Sequence, residues 1–304
     1  LANRLGRCAL LLELANGRIW TWAHDRGGLS GAVDEAEIEF RFKGVTAFDT
    51  ENRAPVDLSN PMTRNEAYAD SIAASLSLLS EEHKARFLEL GVLPEDTDIP
   101  YASIALYWAE TAGMDDRSVF NLLDRLKRMS LVKGALVKDV DPATKAEKPH
   151  PAIRLHDVIR SYARDPARTK PAALKDLNRR FWKAHVDAGE RAFAEGTGLA
   201  RYAYERLPWH LNEAGEKTVL DALLLEPGWL QGKLNAMDLQ ALLSDYRSYA
   251  PDQSAQWFVG AALQIAAGPL HTDKQQLLPQ LIGRLMAVET VIATSFLDRA
   301  RRYL

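Results

Sequence analysis

The sequence predicts a mainly α fold in three parts: a helical bundle remnant, a winged helix-turn-helix with a small β-hairpin, and an α-superhelical array. Three observations point there. Apolar residues recur at helical spacing through most of the chain, a short β-type pair brackets a polar, proline-rich stretch near residues 130–155, and residues from about 171 onward show helical periodicity alone.

In order along the chain, residues 1 to about 23 read as a strongly apolar helix that breaks near Asn16-Gly17, buried on most sides. Residues 32–44 fit either period: Ile38, Phe40 and Phe42 alternate as in a strand, Val33, Ala36 and Phe40 repeat as in a helix, and helix is favoured. Residues 49–63, with Pro55 and Asn60-Pro61, read as a linker. Periodicity then spans Tyr68–Leu79, and Ser80 caps a helix carrying Phe87, Leu88 and Leu90. Helices follow at 101–111 and 117–129, the latter with Val119, Leu122, Leu123, Leu126 and Met129 on one face. Ser130–Val132 with Gly134–Val137, and Ala152–Leu155, read as paired strands around a long wing that holds Pro142, Pro149 and Pro151. Beyond it, helices are expected at about 172–195, 199–214, 216–224, 237–249, 254–267, 275–287 and 289–303. The domain boundaries expected are 1–61, 62–168 and 169–304.

A chain of 304 residues with 47% apolar content suffices for two or three cores. Its formal charge of −3 gives no global pull toward nucleic acid or an acidic membrane, and its single cysteine excludes an internal disulfide framework. No apolar run approaches the roughly 18 residues of a membrane span, so a cytoplasmic protein is expected. The chain starts at Leu1 inside one helical pattern and ends at Leu304 inside another, which suggests a piece of a longer protein.

Catalytic signatures are sparse. Gly228–Lys233 superficially resembles a phosphate-binding loop, but it is one residue short and Leu234 stands where a Ser or Thr would bind magnesium. No zinc-type His-Glu-x-x-His and no nucleophile elbow is found. The chain by itself is not expected to be an enzyme.

The most informative segment is Ile153–Arg160, a short buried strand running into an amphipathic helix with His156 at the junction. Asp157 is expected to cap that helix. An imidazole there can donate hydrogen bonds to an anion beside the partial positive charge of a helix N-terminus, or else serve as a structural histidine bonded to backbone. A DNA-binding alternative makes 116–128 a recognition helix. There Arg117, Arg125, Lys127 and Arg128 are interleaved with Asp115, Asp116 and Asp124, a mixture that argues against a strong phosphate-binding face.

Three segments in order resemble the STAND ATPases, the NB-ARC family. Phe87–Asp96 resembles the family's phenylalanine-leucine stretch ending in proline-glutamate-aspartate. Leu155-His156-Asp157 resembles its methionine-histidine-aspartate motif, with Leu155 for methionine, and Tyr204–Gly215 resembles the start of the helical domain that follows in relatives ending in WD-repeat propellers. The resemblance implies that His156 contacts the β-phosphate of bound ADP, with Asp157 supporting the interdomain arrangement. Leu5–Leu10 is similar to the family's glycine-x-proline motif, which places Gly6 and Cys8 at the adenine, Cys8 standing where the family has proline.

By the same resemblance, a nucleotide-binding P-loop domain and an effector domain precede residue 1 and complete the ADP/ATP site, and the intact protein is a slow ATPase switch. A propeller sensor can follow, since Gln276–Leu304 resembles the helical segment before it in bacterial relatives, and the protein self-oligomerises on activation. The alternative function is a winged-helix transcriptional regulator with a helical sensor or interaction array.

Overall fold

A computed structural model describes residues 9–26, 28, 31–34, 61–140, 147–189, 199–286, 288 and 291–303. Contacts divide the chain into two compact units, Leu1–Lys138 with Pro149–Leu174, and Lys175–Leu304 with Asp139–Lys148. Both are helical, and among the described residues the strands form one three-stranded sheet.

The first unit opens with α1 (Ala9–Arg26) and α2 (Pro61–Leu76). Contrary to expectation, α1 runs through Asn16-Gly17 without a break. A Cβ on Gly17 would lie 2.5 Å from the carbonyl carbon of Met129, so the glycine serves a close backbone approach, not a turn. Residues 61–63 are likewise helix and not linker, while 35–60 lie outside the described residues.

The winged helix follows as α3 (Glu81–Glu89), a 3₁₀ turn (Leu90–Val92), β1 (Ile99–Pro100), α4 (Tyr101–Ala112), α5 (Asp116–Arg128), β2 (Lys133–Val140), β3 (Glu147–Arg154) and α6 (Asp157–Arg164). Local chemistry sets the helix ends. The Ser80 hydroxyl accepts from His83 N–H, as expected, and the Asp115 carboxylate accepts from Ser118 N–H at 2.7 Å, which lowers its pKa. Gly113, at φ 65°, closes α4 in the left-handed conformation, its N–H donating to the Ala109 carbonyl.

The strand order is β1-β3-β2, with Ile99 opposite Ile153 and Pro100 opposite Ala152 in antiparallel register. The two-residue β1 was too short to show any periodicity. The hairpin strands also extend further into the polar stretch than expected: Pro149 and Pro151 belong to β3, beyond the end of β1, where that edge needs no N–H donor. Phe87, Ile99, Tyr107, Trp108, Leu123, Leu126 and Ile153 are fully buried in the core of this unit.

The second unit takes in α7 (Pro171–Asp187) from Lys175 onward, then α8 (Leu199–Ala214), α9 (Lys217–Leu223), α10 (Pro227–Ala236), α11 (Leu239–Tyr249), α12 (Ala255–Ile265), α13 (Ala267–Thr272), α14 (Leu277–Leu285) and α15 (Val291–Tyr303). One apolar cluster, including Leu207, Leu230, Leu242, Leu263, Leu281 and Phe296, links them. Helices α10 and α13 were not expected. The first starts with Pro227 at its first turn, so Gly228–Lys233, the loop-like segment, is helical and cannot cradle phosphate as a loop does.

Candidate functional site

The two motif segments that are about sixty residues apart in sequence meet in the first unit. Gly91 lies against α6: a Cβ on it would come within 3.2 Å of the Ala163 methyl. Arg160 then reaches across from α6, its Nε donating to the Leu93 carbonyl at 2.6 Å and its Nη1 pairing with Glu95 at 2.7 Å. One turn on, Arg164 Nη1 donates to the Gly91 carbonyl at 3.2 Å. On the strand side Arg154 makes a bidentate pair with Asp98, at 2.8 and 2.9 Å, and this hydrogen bonding raises the guanidinium pKa. The segment 91–98 is thereby clamped to both sides of the β3–α6 junction.

His156 sits at that junction. It is the N-cap of α6, with extended backbone at φ −70° and ψ 142°, and Asp157 is the first residue of the helix. The expectation that Asp157 caps the helix is therefore corrected. The chain leaves the strand at Leu155, so the half-in position falls on His156, whose Nδ1 accepts from Val158 N–H at 3.3 Å. The Asp157 carboxylate accepts from the same N–H at 2.8 Å and also contacts His156 Nδ1. His156 Nε2 has no hydrogen-bond partner among the described residues.

The ring is half exposed, at 50% of its side-chain surface, whereas Leu155 beside it is buried. His156 and Asp157 open onto a cleft of about 770 Å³ whose wall also carries Glu13, Asp96, Lys127, Lys133 and Arg154. This volume lies within the usual range for small-molecule sites, roughly 300–1,000 Å³. Asp96 holds a left-handed backbone, φ 48°, where the 91–98 segment turns at the cleft's edge. Among the described residues no group of three or more His, Cys, Asp and Glu could hold a metal ion, and no helix is long and apolar enough to cross a membrane.

In the second unit, residues 174–254 match the family model of the APAF-1 helical domain. The chain is also 24% identical over 184 residues to apoptotic protease-activating factor 1 of Danio rerio, an alignment covering 60% of this chain and 13% of that relative. Both matches liken the chain to an Apaf-1-like STAND/NB-ARC C-terminal region. It spans only about an eighth of the relative's length.

Within this Apaf-1-like chain, Tyr204–Gly215 falls in α8, inside the matched helical domain, and Gly215 ends that helix at φ 75°. The other two sites read from sequence, Gly6 and Cys8, lie outside the described residues. Sequence reasoning missed Lys127 as a cleft residue. It read the lysine only as part of a recognition helix, and no local pattern shows that the last turn of α5 borders the β3–α6 junction.

Buried polar groups in the helical domain were missed as well. Lys233 on α10 and Asp245 on α11 form an ion pair at 2.5 Å with almost no exposure. His210 Nδ1 meets Asn178 Oδ1 at 2.9 Å and its Nε2 meets the Tyr202 hydroxyl at 3.1 Å. The His210–Asn178 contact spans 32 residues and the Lys233–Asp245 pair joins two successive helices, so neither has a local signature.

Proposed function

We propose that this chain is the regulatory part of a STAND-type nucleotide-dependent signalling switch, in which the winged helix helps to hold ADP in a closed state and passes nucleotide exchange on to oligomerisation and effector activation. One observation carries the reading: the imidazole of His156 is offered to a cleft with Nε2 unpartnered, while its Nδ1 is held by its own helix.

The donor set fits a phosphate. His156 supplies a directed N–H, and the N-terminus of α6 adds partial positive charge. Bound nucleotide supplies differential affinity between two conformations, and only such a difference shifts their balance. The residues of this chain do the rest. His156 donates to a phosphate oxygen, Asp157 lies beside the ring at the first position of the helix, and Arg160 with Arg164 ties α6 to the 91–95 segment, so that displacement at the junction is shared by both motif segments.

By likeness to the relative, a P-loop domain and an effector domain complete the protein, which works in the cytoplasm, hydrolyses ATP slowly, and assembles with copies of itself. Gly6 and Cys8 border the adenine, and a propeller sensor follows the helical domain. In the protein carrying its P-loop domain, His156→Ala is expected to speed ADP release about tenfold, the loss of one hydrogen bond to a charged group, and to raise basal signalling. An unchanged release rate would remove the assignment.

A further inference from the structure

We propose that Lys127 is a second anion-binding residue of the His156 cleft, positioned there by Gly134. The inference rests on the reading of that cleft as a phosphate site. It begins with the engagements of the surrounding cations. Arg154 is bound to Asp98, Arg160 to Glu95 and the Leu93 carbonyl, Arg125 to the Leu78 carbonyl, and Arg128 to Asp124. Lys127 and Lys133 line the cleft and have no anionic partner among the described residues.

The two lysines differ in how they are held. Lys127 extends from the last turn of α5 across the start of β2, where Gly134 leaves room for it: a Cβ there would lie 2.8 Å from Lys127 Cε and 3.1 Å from Nζ. The missing side chain is what lets the ammonium lie on the strand at the cleft wall. Such a lysine, alone, also complements the carbonyl end of α5. That role needs no glycine on the neighbouring strand, whereas a fixed place in the cleft does.

Glu13, Asp96 and Asp157 line the same cleft, so it has no broad positive field. Recognition of an anion then depends on directed contacts, an imidazole N–H from one side and an ammonium from the other. A phosphoanhydride, with several oxygens a few ångströms apart, is the chemistry that can use both.

The test is titration of the 304-residue chain with inorganic pyrophosphate, with ADP and AMP as companions, read by NMR shifts of labelled histidine rings and lysine side chains. Wild-type protein is expected to shift His156 and Lys127 together, with pyrophosphate and ADP binding more tightly than AMP. Lys127→Ala should weaken pyrophosphate about three- to tenfold, the range for one exposed charge-assisted contact, and Lys127→Arg should retain most of the affinity. Gly134→Ala displaces only the far end of a flexible side chain, so it should keep the melting temperature and lose affinity as Lys127→Ala does. If His156→Ala weakens binding but neither Lys127→Ala nor Gly134→Ala does, Lys127 is not a ligand and the reading of His156 stands. If the Lys127 and Gly134 variants weaken binding and His156→Ala does not, the lysine site stands and the reading of His156 falls. No pyrophosphate-dependent shift in the folded wild-type chain overturns both.

Discussion

The Nε of Arg160 donates to the carbonyl of Leu93 at 2.6 Å, across an interval of 67 residues, and its side chain is nearly buried where it does so. This bond fixes the turn after α3 to the helix that carries His156. Arg160→Ala leaves the Leu93 carbonyl and Glu95 without this donor and removes the packed stem as well. A loss of about 1–3 kcal/mol in stability is expected from an unsatisfied, largely buried acceptor. Hydrogen exchange should show the increase in opening concentrated in residues 90–98 and 156–164; uniform loss across the chain would contradict a local clamp.

Much of this arrangement could be read from the residues, and the parts that could not share a cause. Ser80 and the run from Asp116 to Arg128 announce their helices because capping chemistry and a one-sided apolar face are local signals. The strand-to-helix junction at His156 was legible for the same reason, although the cap position shifted from Asp157 to His156. Gly17 was misread as a break because a glycine that permits a turn and one that permits a close approach look alike without the neighbour, here Met129. The β1 strand and the Lys233–Asp245 pair depend on partners 12 or more residues away, and the Lys127 position on Gly134 in the next element, all beyond the reach of periodicity.

Acid should loosen the helical domain through its buried histidines. Burial lowers the pKa of His185 to about 4, against the opposing pull of the Phe181 carbonyl, and burial with the neighbouring His185 and Arg206 places His210 well below its ordinary value. Both are neutral when folded, so the unfolded chain binds more protons below about pH 6.5. The stability they leave intact above that pH is lost as pH falls from about 6.5 toward 4. Asp245, raised by burial to about 6, acts oppositely in that window, its protonation favouring the folded form. A variant difference separates them: the stability of His185→Phe should fall less steeply than wild type between pH 6.5 and 4, by up to about 3 kcal/mol at the acid end. Parallel pH profiles for the two proteins would refute the assignment.

The Lys233–Asp245 pair is out of water on both sides, and burial lowers the lysine pKa and raises that of the carboxyl despite their contact. Removing one partner strands the other. Lys233→Met is expected to cost about 3–5 kcal/mol, whereas Lys233→Met with Asp245→Leu should recover most of it, since well-packed apolar replacements of buried pairs are often neutral. Urea unfolding followed by the fluorescence of Trp229, one turn before Lys233 on α10, reports the change. A double variant as unstable as the single would mean the pair holds the α10–α11 register through its charge.

Two glycines should respond oppositely to one methyl. At Gly17 the added carbon would meet the Met129 carbonyl carbon and oxygen at 2.5 and 2.6 Å, so α1 must move away from the end of α5. A cost of about 1–3 kcal/mol is expected for such overpacking against backbone. At Gly134 the obstacle is a lysine tip that can swing aside, and the change should stay within about 0.5 kcal/mol. Thermal melts of the two alanine variants check the contrast, and equal shifts would show that α1 is not seated on Met129.

The recognition-helix position of a winged helix is occupied here by α5, yet its charge is engaged within the chain. Arg125 Nη2 donates to the Leu78 carbonyl at 2.8 Å, and Arg128 pairs with Asp124 and lies 5.2 Å from the centre of the Trp20 ring. Phe120 is exposed on the same helix, an apolar surface unsuited to a phosphate backbone. Duplex binding needs cations free to neutralise phosphates, and each such contact adds about 0.9 to the slope of log affinity against log salt. With Arg125 and Arg128 engaged and Arg117 beside the Asp115 carboxylate, Lys127 alone of the four α5 cations lacks an anionic partner among the described residues, and binding of the 304-residue chain to random duplex is expected to be absent even near 50 mM salt. A steep salt slope in a fluorescence anisotropy titration would instead establish α5 as a nucleic-acid face and displace the switch reading of the winged helix.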